Sequence, residues 1–352
     1  MRRKILNVLR SYNPDEIRIG TLGSHSALNI LRGAKDEGFE TVCICKKDER
    51  IVYESFGVAD VTIEVSNFRD ILREDVQGKL IDMNVILIPH GSFNAYVKDL
   101  DRIMVPFFGN RELMIWETDR LKQREWLERA GLRVPRSLKP DEIEGIAIVK
   151  YHGAMGGRGY FLTTGREDFY RKFEELKSKG IVRDLRDVEI QEYVVGANVY
   201  FSFFYSPIMD RVEIISIDKR YEPVDGLGRI PAEVQIKSDV RPTYTVIGNF
   251  PLVLRESLLL KALNSAKAVV EVSKEIAHPG MVGPFCLETV FDDNAEMFVF
   301  EISARIVAGT NVGIPNSPYS YVLWGENMYM GRRIAREIRM AMERDALSEV
   351  VY

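Results

Sequence analysis

Short apolar runs alternate with amphipathic stretches over the first third of the chain. The runs have the length and spacing of strands, which are predicted at 17–22, 41–45, 61–65, 84–88 and 103–107. A helix is predicted at 27–37, directly after a glycine-containing turn at 23–26. Strands that alternate with helices form a parallel sheet covered on both faces. We therefore expect residues 1–110 to form an N-terminal α/β domain.

The pattern changes after residue 110. A helix is predicted at 111–130, with Gly131 placed to end it, and a proline-marked linker completes a connecting segment at 111–145. Short strands around a glycine-rich loop, with a helix at 167–179, follow in the segment 146–206. This segment is therefore predicted to be a small α+β lid domain.

The rest of the chain, residues 207–352, carries longer strand and helix patterns. A helix is predicted at 253–276, and two apolar strands at 283–291 and 297–302 flank a turn at 292–294. Strands joined by so short a turn run antiparallel. The chain as a whole is therefore predicted to be a mixed α/β and α+β protein whose C-terminal domain is built on an antiparallel sheet.

Length and charge narrow the function class. Single hydrophobic cores stop growing near ~250 residues, so a chain of 352 residues indicates two or three associated domains. The 48 basic and 52 acidic residues are scattered and give a net charge of -4, which argues against DNA or RNA as a partner. No stretch approaches the ~18 apolar residues that span a bilayer, and the first residues lack the features of a cleaved signal. We expect a cytoplasmic enzyme.

The three cysteines are Cys43, Cys45 and Cys286. Cys43 and Cys45 lie two apart in a predicted strand, which directs both thiols to the same face of its sheet. A sparse, odd set of cysteines does not form a disulfide framework. A buried reduced pair is therefore favoured, with a metal site as the alternative.

A lysine at a strand end precedes a loop with four glycines in seven residues. The residues of interest are Lys150, Gly153, Gly156, Gly157, Arg158 and Gly159. Glycines let the backbone approach an anion and present amide hydrogens to it, and the lysine adds a mobile cation. The loop lacks the Gly-Lys-Ser/Thr of a Walker loop, and a strand follows it where a dinucleotide fingerprint requires a helix. The pattern indicates phosphate binding, with a flexible hairpin as the alternative.

A second candidate site lies at the end of a later predicted strand, at Gln191, Glu192, Tyr193 and Val194. Backbone groups exposed at such a strand end can pair with the edge of an adenine. Glu192 or a neighbouring carboxylate can then bind the ribose hydroxyls. An ordinary strand end is the alternative.

Two carboxylates, Glu288 and Glu301, lie on the two strands of the predicted hairpin, and Arg305 follows the second strand. Acids on adjacent antiparallel strands can converge on one Mg²⁺, which takes carboxylate and phosphate oxygens. A plain ion pair between Glu301 and Arg305 is the alternative. The order of lysine and glycine loop, adenine-binding strand end and paired acids is typical of an ATP-grasp enzyme.

Polar clusters also follow predicted strands of the first domain, at 23–26, 89–92 and 107–111. Ligands of open α/β sheets bind at the carboxyl ends of strands, so these clusters are placed to contact a substrate. The alternative for His25 and His90 is a plain surface histidine or a hydrogen-bonded core histidine, and for His90 this alternative is favoured.

With these residues in view, the chain resembles the archaeal 5-formaminoimidazole-4-carboxamide ribonucleotide synthetase family of the ATP-grasp superfamily. The similarity runs over nearly the whole length. Its motifs are Thr-Leu-Gly-Ser-His-Ser at 21–26, Pro-His-Gly-Ser-Phe at 89–93, Phe-Gly-Asn-Arg at 108–111, Gly-Gly-Arg-Gly-Tyr-Phe at 156–161, Gln-Glu-Tyr-Val at 191–194, Asp-Lys-Arg-Tyr-Glu at 218–222 and Gly-Pro-Phe-Cys-Leu at 283–287. The resemblance implies an ATP-grasp fold with an N-terminal pre-ATP-grasp domain, a lid and a C-terminal metal-binding catalytic domain.

The family converts 5-aminoimidazole-4-carboxamide ribonucleotide, formate and ATP to the formamido product, ADP and phosphate. The residues that the resemblance implies are, for the ribonucleotide, His25, Ser92 and Asn249; for ATP, Lys150, the 153–159 loop, the 191–194 segment and Glu222; for Mg²⁺ or Mn²⁺, Glu288 and Glu301; and for catalysis, Lys150 and Arg305. The resemblance also suggests a homo-oligomer. Formate is expected between Arg305 and the substrate amine.

The chain departs from some family members at three places near the implied site. Met155 stands where they have a basic residue, Glu125 where they have a lysine, and Val307-Ala308 where they have Asp-Gly. Two alternatives therefore stay open. One is an ATP-grasp paralogue that joins another carboxylate to another amine, and the other is a non-catalytic protein that binds a purine nucleotide.

Overall fold

The computed structural model describes residues 2–151, 159–238, 240, 243–314 and 317–352. Its strands are β1 (Arg18–Leu22), β2 (Glu40–Lys46), β3 (Val61–Val65), β4 (Val85–Leu87), β5 (Ala147–Tyr151), β6 (Tyr160–Thr163), β7 (Val188–Glu192), β8 (Ala197–Ser206), β9 (Arg211–Tyr221), β10 (Gly248–Pro251), β11 (Gly283–Phe291) and β12 (Met297–Ser303). Its α-helices are α1 (Arg2–Arg10), α2 (Ala27–Asp36), α3 (Arg50–Ser55), α4 (Glu74–Asp82), α5 (Arg111–Glu117), α6 (Arg120–Arg129), α7 (Arg166–Ser178), α8 (Ala232–Lys237), α9 (Glu256–Ile276), α10 (Pro318–Trp324) and α11 (Met330–Glu343). None of these helices has the length and apolar character needed to cross a membrane.

The first sheet has the strand order β3-β2-β1-β4, and every pairing in it is parallel. Alternate residues of β4 enter two different cores. Ile86 packs with Ile30 of α2, whereas Val85 and Leu87 pack with Leu80 of α4. The sheet is therefore covered on both faces, which confirms the prediction from the alternating pattern.

The strand predicted at 103–107 is wrong. Within this segment only Phe107 bridges to Leu87 of β4. The carbonyl oxygens of Ile103 and Val105 accept hydrogen bonds from the guanidinium of Arg111, the latter at 2.8 Å. These carbonyls are therefore withdrawn from the sheet, and Arg111 is a buried structural residue that organises its own loop.

The single helix predicted at 111–130 is also wrong, because it is interrupted into α5 and α6. Asp119 takes an extended conformation, and its side chain accepts hydrogen bonds from the amides of Leu121 and Lys122 at 3.0 and 3.2 Å. This is the geometry of a helix N-cap. The cap starts a second helix in a new direction, which continuous apolar spacing alone does not reveal.

The second sheet is antiparallel with the order β6-β5-β7. Phe169 and Phe173 of α7 pack against Val149 of β5 in a small core. Because successive side chains of a strand point to opposite faces, the neighbouring Lys150 projects from the face that α7 does not cover.

The third sheet is antiparallel with the order β10-β9-β8-β11-β12. Phe201 and Phe203 of β8 pack against Ala266 and Val269 of α9 on one face. Tyr200, the residue before Phe201, points to the opposite face. Around Tyr200 that face carries polar residues, and it forms the floor of the site described below.

The C-terminal helix α11 packs on α2 near the start of the chain. A Cβ atom added to Gly33 of α2 would lie 2.1 Å from the Arg332 amide nitrogen, and one added to Gly331 would lie 2.0 Å from the Asn29 carbonyl oxygen. The two helices therefore touch through glycines, and Ile334 and Ile338 enter the same core as Ile30. The division of the chain at residues 110, 145 and 206 stays a prediction.

The three cysteines are buried and free of disulfides. Cys43 and Cys45 pack with Tyr53 and Val58 in a small core beside β2. Burial raises the pKa of Cys45, so its thiol stays protonated. Within the described residues, no group of three or more metal-binding side chains occurs. The prediction of buried reduced thiols is confirmed.

Candidate active site

Four polar side chains form a row across the third sheet. Across the sheet, Asp218 of β9 lies opposite Tyr200 of β8, and Tyr200 lies opposite Glu288 of β11. Glu288 in turn lies opposite Glu301 of β12. Residues directly opposite each other in antiparallel strands point to the same face. The row therefore lies on the face away from α9, and it brings the two predicted metal-binding acids side by side.

A β-bulge sits beside this acid pair. Glu288 pairs with Glu301 and Thr289 pairs with Val299, so Phe300 is an extra residue on β12. A bulge redirects the side chain of the extra residue. The Phe300 ring lies edge-on to Tyr200 at 6.4 Å between centroids, and the Lys150 Nζ lies 5.7 Å from the Phe300 ring. The bulge thus helps to join the second sheet to the third at the acid pair.

The acid pair is electrostatically strained without a cation. Burial raises the pKa of Glu288 to about 7, an effect that Arg220 opposes and Glu301 reinforces. Arg220 bonds to the Glu288 carboxylate and lies 4.1 Å over the Tyr200 ring. Two adjacent carboxylates, one of them buried, suit a hard divalent cation that takes its remaining ligands from phosphate and water. The residues therefore fit a metal bound together with a nucleotide.

Lys150 lines a narrow cleft between the second and third sheets, with Arg120, Glu189, Gln191 and Phe300 among the other lining residues. Burial lowers the pKa of Lys150, while Glu301 raises it. The Gln191 Oε1 atom is buried, and no described residue donates a hydrogen bond to it. The cleft thus offers cations and a free acceptor close to the acid pair.

The segment after β7 is held by protein contacts on one side. The Glu192 carboxylate accepts two hydrogen bonds from Arg136, from its backbone amide and its Nε, both at 2.9 Å. Burial opposes ionisation, but these bonds outweigh it and lower the pKa of Glu192. The Tyr193 amide donates to the Ile146 carbonyl at 3.1 Å, and Val194 is half-buried. A nucleotide at this segment would share Glu192 with Arg136.

Most of the predicted phosphate loop lies outside the described residues, namely Gly153, Gly156, Gly157 and Arg158, as does Met155. Gly159 is described at the far end of the loop. It has a φ of 88°, in the left-handed region that glycine tolerates, and its carbonyl accepts a hydrogen bond from the Tyr151 amide at 2.9 Å. The two ends of the loop are thus hydrogen-bonded together.

The loops after β1 and β4 carry the predicted substrate residues His25 and Ser92. The Ser92 Oγ is 3.0 Å from the Ser24 Oγ, which ties the two loops together. A Cβ atom added to Gly91 would lie 2.8 Å from the His25 Nε2 and 3.5 Å from the Arg305 Cζ. These loops therefore meet Arg305, which follows β12, and the first sheet contributes to the same site.

His90 is buried, and both its ring nitrogens are hydrogen-bonded. Its Nδ1 accepts from the Ser92 amide at 3.2 Å, so its Nε2 carries the proton and donates to the Leu22 carbonyl at 2.9 Å. Burial, reinforced by Arg305, lowers its pKa to about 4. The ring stacks on that of His25 at 5.3 Å. Of the two interpretations favoured for His90, a plain surface histidine or a hydrogen-bonded core histidine, the structure shows the core one, and its ring supports that of His25.

Glu117 is a residue of the site that sequence reasoning missed. Its buried carboxylate accepts hydrogen bonds from the Asn94 amide at 2.6 Å, the Ala304 backbone amide at 2.6 Å and the Arg305 Nε at 2.9 Å. Burial raises the pKa of Glu117, and these three donors oppose the rise. Within the described residues, Arg305 pairs with Glu117 and has no ion pair to Glu301. The sequence did give one indication that Glu117 is buried, because Glu117 lies four residues after Leu113 and therefore on the same face of the predicted helix.

Asn249 and Glu222 lie at the other end of the row. Asn249 of β10 is the cross-strand partner of Arg220, and Glu222 directly follows β9. Burial raises the pKa of Glu222, with Arg220 opposing. Burial likewise raises the pKa of Asp218 to about 7. On this side of the site, Arg220 and Lys219 both oppose the effect of burial on Glu222, and Arg220 does the same for Asp218.

Two of the three departures can be placed. Glu125 is exposed on α6 and lies 3.5 Å from Arg129, one turn further on. Val307 is buried, and its carbonyl accepts a hydrogen bond from the Ser26 Oγ at 2.8 Å. Val307 therefore connects the third sheet to the loop that carries His25, through its backbone.

Comparisons with known proteins agree with this geometry. Family profiles match the chain at 19–138, described as a protein of unknown function (DUF1246), and at 168–352, described as a domain of unknown function (DUF1297). The chain is 63% identical to the 5-formaminoimidazole-4-carboxamide-1-(beta)-D-ribofuranosyl 5'-monophosphate synthetase of Archaeoglobus fulgidus, over 100% of this chain and 99% of that protein. It is 48% identical to the protein of the same name from Methanocaldococcus jannaschii, over 99% of this chain and 98% of that one.

Solved structures show the same fold. An IMP biosynthesis protein PurP from Thermococcus kodakaraensis superposes with a TM-score of 0.76 and 32% sequence identity, over 95% of this chain and 100% of that one. The N5-carboxyaminoimidazole synthetase of Staphylococcus aureus complexed with ADP superposes with a TM-score of 0.61 and 15% identity, over 84% of this chain and 72% of that one. These neighbours place the chain in the ATP-grasp fold, as the order of its motifs predicted.

Proposed function

The chain belongs to the 5-formaminoimidazole-4-carboxamide ribonucleotide synthetase family, and on this premise we propose that it formylates 5-aminoimidazole-4-carboxamide ribonucleotide in IMP biosynthesis. It is an ATP-dependent carbon-nitrogen ligase, which consumes formate and ATP and releases ADP and phosphate. The observation that carries the proposal is the meeting of three parts in one site. Lys150 lies beside the acid pair, and the His25 loop meets Arg305, which follows the strand that carries Glu301.

ATP binds in this proposal between the second and third sheets. Lys150 and the 153–159 loop hold its phosphates, and the 191–194 segment, with Glu222, holds its base and ribose. The buried free acceptor on Gln191 supports this assignment, because the amino group of adenine can donate to it. The ribonucleotide binds on the other side of Arg305, against His25, Ser92 and Asn249.

Glu288 and Glu301 hold a divalent metal, which we propose to be Mg²⁺ or Mn²⁺. A metal held there with ATP would neutralise charge on the phosphates and make the attacked phosphorus more electrophilic. Mg²⁺ is commonly bound by one or two carboxylates together with substrate phosphates, which agrees with two protein ligands. A divalent cation at Glu288 and Glu301 would favour the ionised carboxylates, against the effect of burial on Glu288.

The reaction follows from the weak electrophilicity of formate. A formate oxygen attacks the terminal phosphorus of ATP, ADP leaves, and formyl phosphate results. The 5-amino group of the ribonucleotide then attacks the formyl carbon, the carbon-oxygen bond to phosphate breaks, and the nitrogen loses a proton. Catalysis consists largely of positioning and charge neutralisation, with Lys150 and Arg305 as the cations proposed to stabilise the transferred group.

Arg305 is the proposed formate site. Its side chain lies between the loop of the ribonucleotide and the acid pair, and Glu117 orients it through the Nε bond. With the Nη1 atom donating to the Ile306 carbonyl at 3.3 Å, the Nη2 atom is the part of the guanidinium that can bind a small anion. The lid must exclude water while formyl phosphate exists, because water would hydrolyse it.

The partners and location follow the same premise. We propose small-molecule substrates, no nucleic acid, a homo-oligomeric assembly and a cytoplasmic location. The scattered charges and the reduced, buried cysteines support the absence of nucleic acid and the location.

The test is ADP release by the purified protein with Mg-ATP, formate and the ribonucleotide, with each component omitted in turn. Release is expected to need all three and to vanish in Glu301→Gln, which removes one metal-binding charge. Glu296→Gln is the matched control, because Glu296 lies at the far end of the same hairpin and pairs with Lys261. It is expected to retain the wild-type rate.

Other outcomes assign other functions. ADP release that is independent of formate and ribonucleotide contradicts the proposal. Release with a different carboxylate and amine identifies a paralogue, and binding of the ribonucleotide without turnover identifies a nucleotide-binding protein.

A further inference from the structure

The two edges of the second sheet are held in different ways. At one edge, backbone hydrogen bonds tie β7 to the linker that precedes β5. The Leu138 amide donates to the Ile190 carbonyl at 2.9 Å, and the Glu192 amide donates to the Arg136 carbonyl at the same distance. The other edge is β6, which pairs with β5. The position of this second edge therefore depends on contacts other than those to the linker.

Tyr160, the first residue of β6, faces the cleft between the second and third sheets. It lies directly opposite Lys150 of β5, so the two side chains point to the same face of the sheet. The next residue, Phe161, packs on Phe169 of α7 at the other face. The Tyr160 ring therefore lies on the side where Lys150 lines the cleft.

Tyr244 contacts this ring from the third sheet. It lies in the long connection between β9 and β10, and the Ile247 amide closes the base of that connection by donating to the Tyr221 carbonyl at 2.9 Å. The centroids of the Tyr160 and Tyr244 rings are 5.3 Å apart, and the ring planes are tilted by 50°. The contact thus joins the third sheet to the edge of the second sheet that lies away from the linker.

The proposed reaction gives this contact a task. Formyl phosphate forms between the two sheets, and water that reaches it returns formate and phosphate, so ATP is consumed without product. Burial raises the pKa of Tyr244, and Tyr193 and Glu222 reinforce the rise. Because both of these residues belong to the proposed ATP site, the Tyr244 phenol lies beside the nucleotide as well as beside β6.

We propose that Tyr244 holds the β6 edge of the second sheet against the third sheet and thereby keeps water away from formyl phosphate. This inference rests on the proposed function and adds a positioning residue to it, since Tyr244 acts through Tyr160. An aromatic ring pair at this distance stabilises a contact beyond the area that it buries, enough to change an equilibrium about 2–10-fold. Loss of the Tyr244 ring should change the opening of this edge by a similar factor.

The experiment measures ADP and formylated product in the same reactions, and the excess of ADP over product gives the leakage. In Tyr244→Leu the formate-dependent excess is expected to rise about 2–10-fold. Tyr244→Phe keeps the ring and is expected to match the wild type. Tyr170→Leu is the matched control, because Tyr170 forms a ring contact of 5.1 Å with Phe169 on the α7 side of the same sheet. It is expected to leave the excess unchanged.

A double-mutant cycle tests whether the two rings act together. Tyr160→Leu should raise the excess as Tyr244→Leu does, and the double variant should leak less than about twofold more than either single variant. An unchanged excess in Tyr244→Leu, an excess that does not need formate, or multiplied effects in the double variant overturns the proposal. Equal leakage in Tyr170→Leu overturns it as well. If Tyr244→Leu does not fold, Tyr160→Leu decides in the same way.

Failure of the proposed function is distinguishable from failure of this inference. If the wild type formylates nothing, the formylation proposal fails. The dissociation rate of a fluorescent ATP analogue with Mg²⁺, measured by stopped flow, then decides whether Tyr244 closes the cleft. Tyr244→Leu is expected to dissociate the analogue about 2–10-fold faster than the wild type and Tyr170→Leu at the wild-type rate. An unchanged rate in Tyr244→Leu overturns the inference.

Discussion

Glu117 is expected to control both stability and formate use, and Glu117→Gln tests this. The substitution keeps the shape of the side chain but replaces one acceptor oxygen with an NH₂ group. All three partners of Glu117 are donors, from Asn94, Ala304 and Arg305. At least one donor therefore faces another donor in the variant.

The magnitude follows from burial, since Glu117 and Arg305 have side chains 5% and 15% exposed. A lost charge-assisted bond costs about 1.5–3 kcal/mol and an unpaired buried N–H about 1–3 kcal/mol. Their combination agrees with the ~3–5 kcal/mol expected when one partner of a buried ion pair is removed. The free energy of unfolding should fall by that amount, and the KM for formate should rise at least tenfold as Arg305 loses its orientation.

Urea unfolding and steady-state kinetics with formate as the varied substrate provide the two measurements. Glu112→Gln is the control, since Glu112 is exposed at the start of the same helix, where a charge contributes about 1 kcal/mol at most. The reasoning is refuted if Glu117→Gln unfolds within about 1 kcal/mol of the wild type with an unchanged KM for formate. A stability loss with unchanged KM would leave Glu117 a structural residue only.

Two further predictions concern stability. The pKa of His90 is about 4 in the folded protein against 6.5 for the free side chain, so between these pH values the folded state binds fewer protons than the unfolded state. The free energy of unfolding should therefore fall as the pH drops from 6.5 to 4, by up to roughly 3 kcal/mol. His90→Asn should remove that part of the acid dependence, as urea unfolding at pH 7 and pH 5 will show; an equally steep dependence in the variant would assign it to other groups. Arg333→Met leaves Glu213 and Glu337 buried without their shared cation, and it should lower the free energy of unfolding by ~3–5 kcal/mol. A triple variant that combines Arg333→Met with Glu213→Leu and Glu337→Leu should recover most of that loss. Thermal unfolding measures both variants, and a triple variant less stable than Arg333→Met would contradict the account.

Most strands could be placed from the sequence because burial on one or two faces leaves a regular apolar pattern. Strands β3 and β11 have the predicted bounds, at 61–65 and 283–291. The break at Asp119 is a helix cap in an exposed segment, whereas two other failures share a cause, which is the use of charged groups inside the protein. Helix α11 was not predicted, since its buried face includes Arg333 and Glu337, and the segment at 103–107 is shaped by the buried Arg111.

The candidate site divides in the same way. Lys150, Glu288 and Glu301 belong to local motifs, so their residue types and order indicate their chemistry. Glu117 has no such motif, because its partner Ala304 is 187 positions away in the chain. The sequence showed Asp218 only as part of a motif, because its burial depends on the turn at Gly309 that packs against its carboxylate.

The glycine contact between α2 and α11 has a consequence for biosynthesis. The Gly331 amide donates a hydrogen bond to the side chain of Asn29, 302 positions earlier. The core that contains Ile30 of α2 is therefore completed only when α11 has been made. At about 5–20 residues per second, a ribosome takes roughly 15–60 seconds to cover that distance. During this interval Ile30 and its neighbours on α2 have no covering helix. The nascent N-terminal region must therefore avoid aggregation or be shielded by a chaperone until α11 has left the ribosome.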